Sequence, residues 1–167
     1  TRPESIQPKI IPLMKRLKID GVGMGIETAS EEFRKSSLNR YPSQEKIKRA
    51  FKILKDAGIK RSAYNIIGLP NENEEMILDT IKFNQILNPD NITVAFFSPY
   101  IGTIEQEKST EIEYFDDYEY NLDGQIRSLS RSTLVNEKCL NFYKKHFVNL
   151  VRNGLDNLVT LKSIDGI

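Results

Sequence analysis

The stretch Ser62-Ala-Tyr-Asn-Ile-Ile-Gly-Leu-Pro-Asn-Glu-Asn-Glu-Glu75 constrains this chain more than any other. Ser62 to Ile67 is short and largely apolar, as expected of a strand buried on both faces. Gly68-Leu69-Pro70 breaks it, because Gly tolerates special dihedrals and Pro fixes φ and lacks a donor. Asn73 can then cap a helix opening on Glu74 and Glu75, which put negative charge at the positive end of the helix dipole. Strand, bend and acidic helix start make one βα unit. Its loop leaves the C-terminal end of the strand, the end that carries ligands in parallel α/β folds.

The flanking sequence repeats the unit. Ile10 to Leu17 carries a helical stripe, with Pro12 placed in the first turn. Val22 to Glu27 is a strand interrupted by two glycines, which mark close approach of a backbone or ligand. Ser30 caps a short helix from Glu31 to Leu38. Ser43 caps the clearest helix, with Ile47, Ala50, Phe51 and Leu54 on one face and Gly58 ending it. A helix from Glu74 to about Leu87 stops at Asn88-Pro89-Asp90, and Ile92 to Phe97 is a further buried strand. Beyond it, seven acidic residues between Glu105 and Glu119 stand against Lys108 alone, interleaved with Tyr114, Phe115 and Tyr118. This acidic segment reads as a solvated loop. Helical spacing returns from Thr133 to Arg152, and the tail from Leu155 is weakly patterned.

With 167 residues, the chain can bury a real core in one domain. A net charge of +1 gives no field that favours nucleic acid or a membrane surface. Cys139 is the one cysteine, so neither an internal disulfide nor a cysteine-based metal cage is expected. No metal ligands and no catalytic residues are assigned. Cys139 is expected to be a small buried hydrophobe and His146 a surface residue. No apolar run approaches the roughly 18 residues of a spanning helix, and Thr1-Arg2-Pro3-Glu4 is no leader, so the expected location is the cytoplasm. The start without Met, close to a helix, reads as a piece of something longer.

Three loops leave three strand ends: Glu27 to Ser30, Gly68 to Glu72 and Ser98 to Thr103, with Arg40 just beyond a helix end. A carboxylate beside a hydroxyl suits ribose or an amine, and an arginine suits a carboxylate through paired hydrogen bonds. A glycine bend suits the face of a base. The same residues also admit a plainer assignment, with Glu27 capping a helix, Arg40 on the surface and the glycines as turns.

Five segments stand in one order and at one spacing: Val22-Gly-Met-Gly-Ile-Glu-Thr-Ala-Ser30, Leu38-Asn-Arg40, Ala57-Gly-Ile59, Asn65-Ile-Ile-Gly-Leu-Pro-Asn-Glu72 and Phe97-Ser-Pro-Tyr-Ile-Gly-Thr103. Together they resemble the second half of a radical S-adenosylmethionine core, most closely the branch often found behind a cobalamin-binding domain. The resemblance covers residues 1–105, with an acidic irregular segment over 106–132 and a C-terminal helix and tail over 133–167. It implies an α/β fold: the C-terminal half of a partial (β/α)6 TIM-like barrel, with parallel strands, helices outside and a C-terminal helix. It implies an enzyme in which a [4Fe–4S] cluster splits S-adenosylmethionine to a 5′-deoxyadenosyl radical that attacks a small-molecule substrate. Cobalamin would be a further cofactor, held by a domain before Thr1.

Carried over by motif, Glu27 and Ser30 meet the ribose and methionine part, and Arg40 pairs with the methionine carboxylate. Ile67 and Gly68 pack at the adenine, Glu72 braces their loop, and the turn containing Ser98 and Gly102 closes on the base. Asn71 and Asn73 stand where the family has a small residue and a hydroxyl, and both can still serve a bend or a cap. The CxxxCxxC loop that holds the cluster is absent, so the missing N-terminal half of the barrel is the expected partner and this chain alone is expected to be inactive. Two rivals share the pattern: a degenerate half-barrel that works as a scaffold or partner-binding module, and an α/β domain binding a nucleotide or phosphate.

Overall fold

In a computed structural model, residues 1–97 and 134–167 are described; the loop with Ser98 and Gly102 and the acidic segment lie outside them. Two 3-10 turns, Pro3–Ser5 and Pro8–Ile10, lead into α1 (Ile11–Arg16), whose first turn holds Pro12 as expected. There follow β1 (Gly21–Glu27), α2 (Glu31–Leu38), α3 (Gln44–Asp56), β2 (Lys60–Ile67), α4 (Glu74–Leu87), β3 (Asn91–Phe96), α5 (Glu137–Asn153) and α6 (Leu158–Asp165). The strands are parallel, in the order β1-β2-β3. This is an α/β fold of alternating strands and helices, a part of a barrel.

The helices begin where side-chain acceptors are available. Ser30 Oγ accepts from Phe33 N, Ser43 Oγ from Lys46 N, Asn73 Oδ1 from Met76 N and Asn136 Oδ1 from Cys139 N. Each such cap stabilises its helix by about 1 kcal/mol. Gly58, at φ +72°, turns the chain out of α3 toward β2.

The described residues form two compact units: Thr1–Asn65 with Asp79–Thr93, and Ile66–Leu78 with Val94–Ile167. In the first, Met24 and Ile26 of β1 and Ala63 of β2 pack with Ile47, Phe51 and Leu54 of α3 and with Phe83 and Leu87 of α4. A reciprocal amide pair lies inside this apolar layer. Asn84 Nδ2 donates to Asn65 Oδ1 (2.7 Å) and to Thr80 O (2.9 Å), while Asn65 Nδ2 donates to Asn84 Oδ1 and Thr93 O (3.3 Å each). In the second unit, Leu140, Tyr143, Phe147 and Leu150 form the buried face of α5.

Several expectations are corrected. β2 is buried on one face only: residues 61, 63, 65 and 67 are buried while Tyr64 is 46% exposed. β3 has no fully buried residue in its span and alternates between exposed and half-buried, as an edge strand does. Leu13 and Leu17 of the first helical stripe are exposed. The C-terminal helix starts at Glu137 rather than Thr133, because Asn136 supplies the cap. The tail is helical too. Polar tethers hold α6: Asp165 pairs with Lys145 (2.8 Å) and His146 (2.9 Å), and Lys162 pairs with Glu74. His146 is half-buried rather than fully solvated: its side chain is 15% exposed and lies against the Phe142 ring. No helix among the described residues is long and apolar enough to cross a membrane.

Candidate functional site

The C-terminal end of β1 is irregular. Gly25 pairs with Tyr64 and Glu27 with Asn65, so the register slips by one residue between them. Glu27 then adopts φ +64°, a left-handed conformation that costs a residue with a side chain about 1–3 kcal/mol. The segment after it is held on several sides. Thr80 of α4 accepts from Ala29 N (3.0 Å) and shares a hydrogen bond with the Thr28 hydroxyl (3.2 Å), while Arg34 donates to the carbonyls of Thr28 and Ala29.

The bulge folds the Glu27 side chain back over Gly25. A Cβ on Gly25 would fall on Glu27 Oε1, far inside van der Waals contact, and 3.8 Å from Arg40 Nη1. Arg40 reaches this place because α2 ends at Asn39 in the left-handed conformation (φ 49°), and Arg40 N donates to Arg34 O. Arg40 Nη2 stands 3.5 Å from Glu27 Oε1. Burial pushes the Glu27 carboxyl above its ordinary range, opposed first by Arg40 and then by Arg34. Ser30, not Glu27, caps α2, and Arg40 is half-buried against a carboxylate. Of the plainer assignment, the Glu27 cap does not hold, whereas Gly58 and Gly68 do serve as turns.

Gly25→Ala is thus expected to displace the Glu27 carboxylate while leaving the strand in place. If Glu27 meets a ligand, as proposed below, the variant should resemble a loss of Glu27, with roughly tenfold weaker binding. Wild-type affinity would show that the carboxylate is not needed where it stands. Gly23 is a second vacancy on the same strand: a Cβ there would lie 2.5 Å from the Tyr64 ring. The two strand glycines seat a phenol and a carboxylate of this chain.

The bend after β2 lies in the second unit. Ile67 O accepts from Phe97 N (2.8 Å), and Gly68 takes φ +78°. The buried Glu72 carboxylate accepts from Gly68 N (2.6 Å) and Leu69 N (3.3 Å) through Oε2. Asn71 takes the left-handed position (φ 60°) that Asn tolerates, and Asn73 caps α4. Both asparagines serve local geometry.

Burial pushes the Glu72 carboxyl up to about 7, against the two amide bonds that favour its ionised form. With the folded value above the unfolded 4.5, the folded state holds the extra proton. The contribution of Glu72 to stability is fully present below pH 4.5 and is lost as pH rises toward 7, by on the order of 3 kcal/mol. Glu74, Asp90 and Asp165, whose values are lowered, act below that window. Melting curves between pH 5 and 8 should fall for wild type and be flatter for Glu72→Gln. Parallel curves would contradict this.

Sequence reasoning missed Arg34, Tyr64, Thr80 and Asn84. A charged residue on an exposed-looking helix and polar residues between Ile77 and Leu87 carry no periodic signal of such roles. Cys139 is buried in α5, and no group of His, Cys, Asp and Glu among the described residues is arranged to hold a metal ion.

The family model described as the Radical SAM superfamily matches residues 1–83. The chain belongs to the radical SAM superfamily. It is 30% identical over 145 residues to the anaerobic magnesium-protoporphyrin IX monomethyl ester cyclase of Rubrivivax gelatinosus, covering 84% of this chain and 26% of that protein. The structure of the archaeal Methanocaldococcus infernus Elp3 with an N-terminus deletion matches with a TM-score of 0.59 at 28% identity, over 67% of this chain and 26% of that one. Coproporphyrinogen III oxidase (HemN) from Escherichia coli, described as a radical SAM enzyme, matches with a TM-score of 0.64 at 17% identity, over 91% of this chain and 31% of that one, which shows the fold alone. This radical SAM chain spans about a quarter of the length of the curated relative it matches.

Proposed function

We propose that this chain supplies part of the S-adenosylmethionine pocket of a radical SAM enzyme, with Glu27 and Arg40 taking the amino-acid end of that molecule. The observation that carries the proposal is the strained, bulged strand end that lays one carboxylate and one guanidinium side by side. The chain holds Glu27 in a disfavoured conformation to do so. An ammonium and a carboxylate on one carbon complement that pair, each meeting its opposite charge. Among the described residues the Arg40 guanidinium has no partner closer than Glu27 at 3.5 Å, so its donors can serve a ligand. The resemblance alone puts Glu27 at the ribose and methionine part; its pairing with Arg40 supports a place for both at the zwitterion.

Ser30 caps α2 through its oxygen and retains a hydroxyl proton for ribose. Carried over from the resemblance, Ile67 and Gly68 would pack on the adenine. Glu72 braces the Gly68 bend without touching the ligand.

The residues here do not fit an iron–sulfur cluster: one buried cysteine stands against the three thiolates of the family's loop. The cluster and the radical chemistry belong to sequence outside these residues, as would any cobalamin domain. The substrate is likewise set elsewhere, since methylation, cyclisation, methylthiolation and rearrangement share these strands. Reconstitution of the chain alone with iron and sulfide should leave it colourless. Stoichiometric iron with absorption in the blue would contradict this.

A nucleotide or phosphate site at the Gly68 bend is disfavoured by a specific contact. The amides of Gly68 and Leu69 that would cradle a phosphate already donate to the buried Glu72 carboxyl. Calorimetric titration of the complete enzyme with S-adenosylmethionine, ATP and inorganic phosphate separates the readings. Saturable binding of S-adenosylmethionine alone is expected. Binding of phosphate or ATP alone would favour the rival, and binding of none a scaffold.

A further inference from the structure

We propose that Arg34 is the positioning residue of the Glu27–Arg40 pair, tying the two backbone segments that carry them into one frame. The inference rests on the functional reading above and deepens it. Arg34 is among the most deeply buried side chains of the chain, 1% exposed, although it stands on a short helix whose sequence reads as solvated. Its Nη1 donates to the carbonyls of Thr28 and Ala29, directly after Glu27, and its Nη2 donates to Pro42 O (2.9 Å), two residues after Arg40. Its own carbonyl accepts from Arg40 N (2.9 Å). One residue thus fixes the strand end on one side and the strap beyond α2 on the other.

The partners are main-chain carbonyls, and no carboxylate among the described residues forms an ion pair with this guanidinium. A buried cation with only neutral hydrogen-bond partners is costly, and the negative charges that favour it are those of Glu31 and then Glu27. The groups facing Glu27 are therefore Arg40 from the strap and Arg34 from α2, with Glu31 facing Arg34 and Tyr64 beyond Gly23. Arg34 does two things at the site. It holds the left-handed bend at Glu27 closed, and it adds a second positive charge that favours the ionised carboxylate a cationic amine requires.

The test compares Arg34→Met, which keeps length and loses the charge, with Arg34→Lys, in the complete enzyme. S-adenosylmethionine affinity is measured from pH 5 to 8.5, with melting curves alongside. Arg34→Met should bind roughly tenfold more weakly, and the pH at which binding is lost on acidification should move upward. That movement should vanish in Arg34→Met/Glu27→Gln. Arg34→Lys should restore the wild-type midpoint but not the affinity, since an ammonium cannot span the carbonyls on both sides. A merely structural residue would lower affinity or melting temperature without moving the midpoint, and that result overturns the proposal, as does wild-type affinity in either variant. Should Arg34→Met fail to fold, Arg34→Gln, which keeps a donor and loses the charge, decides: weaker binding with the midpoint moved upward supports the role, and an unmoved midpoint overturns it. A wild-type enzyme that does not bind S-adenosylmethionine sinks the functional reading, and this inference with it.

Discussion

Arg40→Ala in the complete enzyme is expected to weaken S-adenosylmethionine binding by roughly one to two decades, the ~1.5–3 kcal/mol of a charge-assisted pair. The loss is twofold in origin. The ligand carboxylate loses its donor, and Glu27 loses the charge that most opposes the effect of its burial. Binding in the variant should therefore also become more sensitive to acid, since a protonated Glu27 cannot take an amine. Glu27→Gln keeps the shape but loses the charge that meets the amine, and should weaken binding roughly tenfold. Neither side chain belongs to the apolar core, so melting temperatures should stay close to wild type. Calorimetry with melting curves checks both variants. A large drop in melting temperature with unchanged affinity would mean that the pair braces the strand end and binds nothing.

The second large effect is on stability, at the amide pair beneath the strands. Asn84→Leu should destabilise the fold by ~2–4 kcal/mol, because it leaves the buried Asn65 amide without two of its bonds. The double variant Asn65→Leu/Asn84→Leu should recover part of that loss, since no polar group of the pair then remains unpaired, although Thr93 O and Thr80 O each lose a donor. Denaturant unfolding of wild type, both singles and the double closes this cycle. Additive losses would show that the two asparagines act independently.

The contrast between these regions explains what the sequence discloses. α3 was legible throughout because its apolar residues follow one helical face and Ser43 and Gly58 mark its ends. The βα unit at Gly68 was equally legible, since a glycine at φ +78° and a capping Asn73 are local necessities. Glu27 was legible as a position but not as a geometry: a register slip leaves no trace in composition. α6 was not legible, because ion pairs to Asp165 and Glu74 hold it while Val159 and Ile164 stay exposed. Arg34 was hidden for the opposite reason. Its charge marks it as solvated, and only the fold shows three carbonyls converging on it.

The most direct measurement of the central claim compares S-adenosylmethionine with its decarboxylated analogue on wild type and Arg40→Ala. If Arg40 meets the carboxylate, wild type should bind the decarboxylated analogue roughly ten- to a hundredfold more weakly, while Arg40→Ala should scarcely distinguish the two ligands. Equal discrimination by wild type and variant would contradict the claim that this strand end reads the amino-acid end of S-adenosylmethionine.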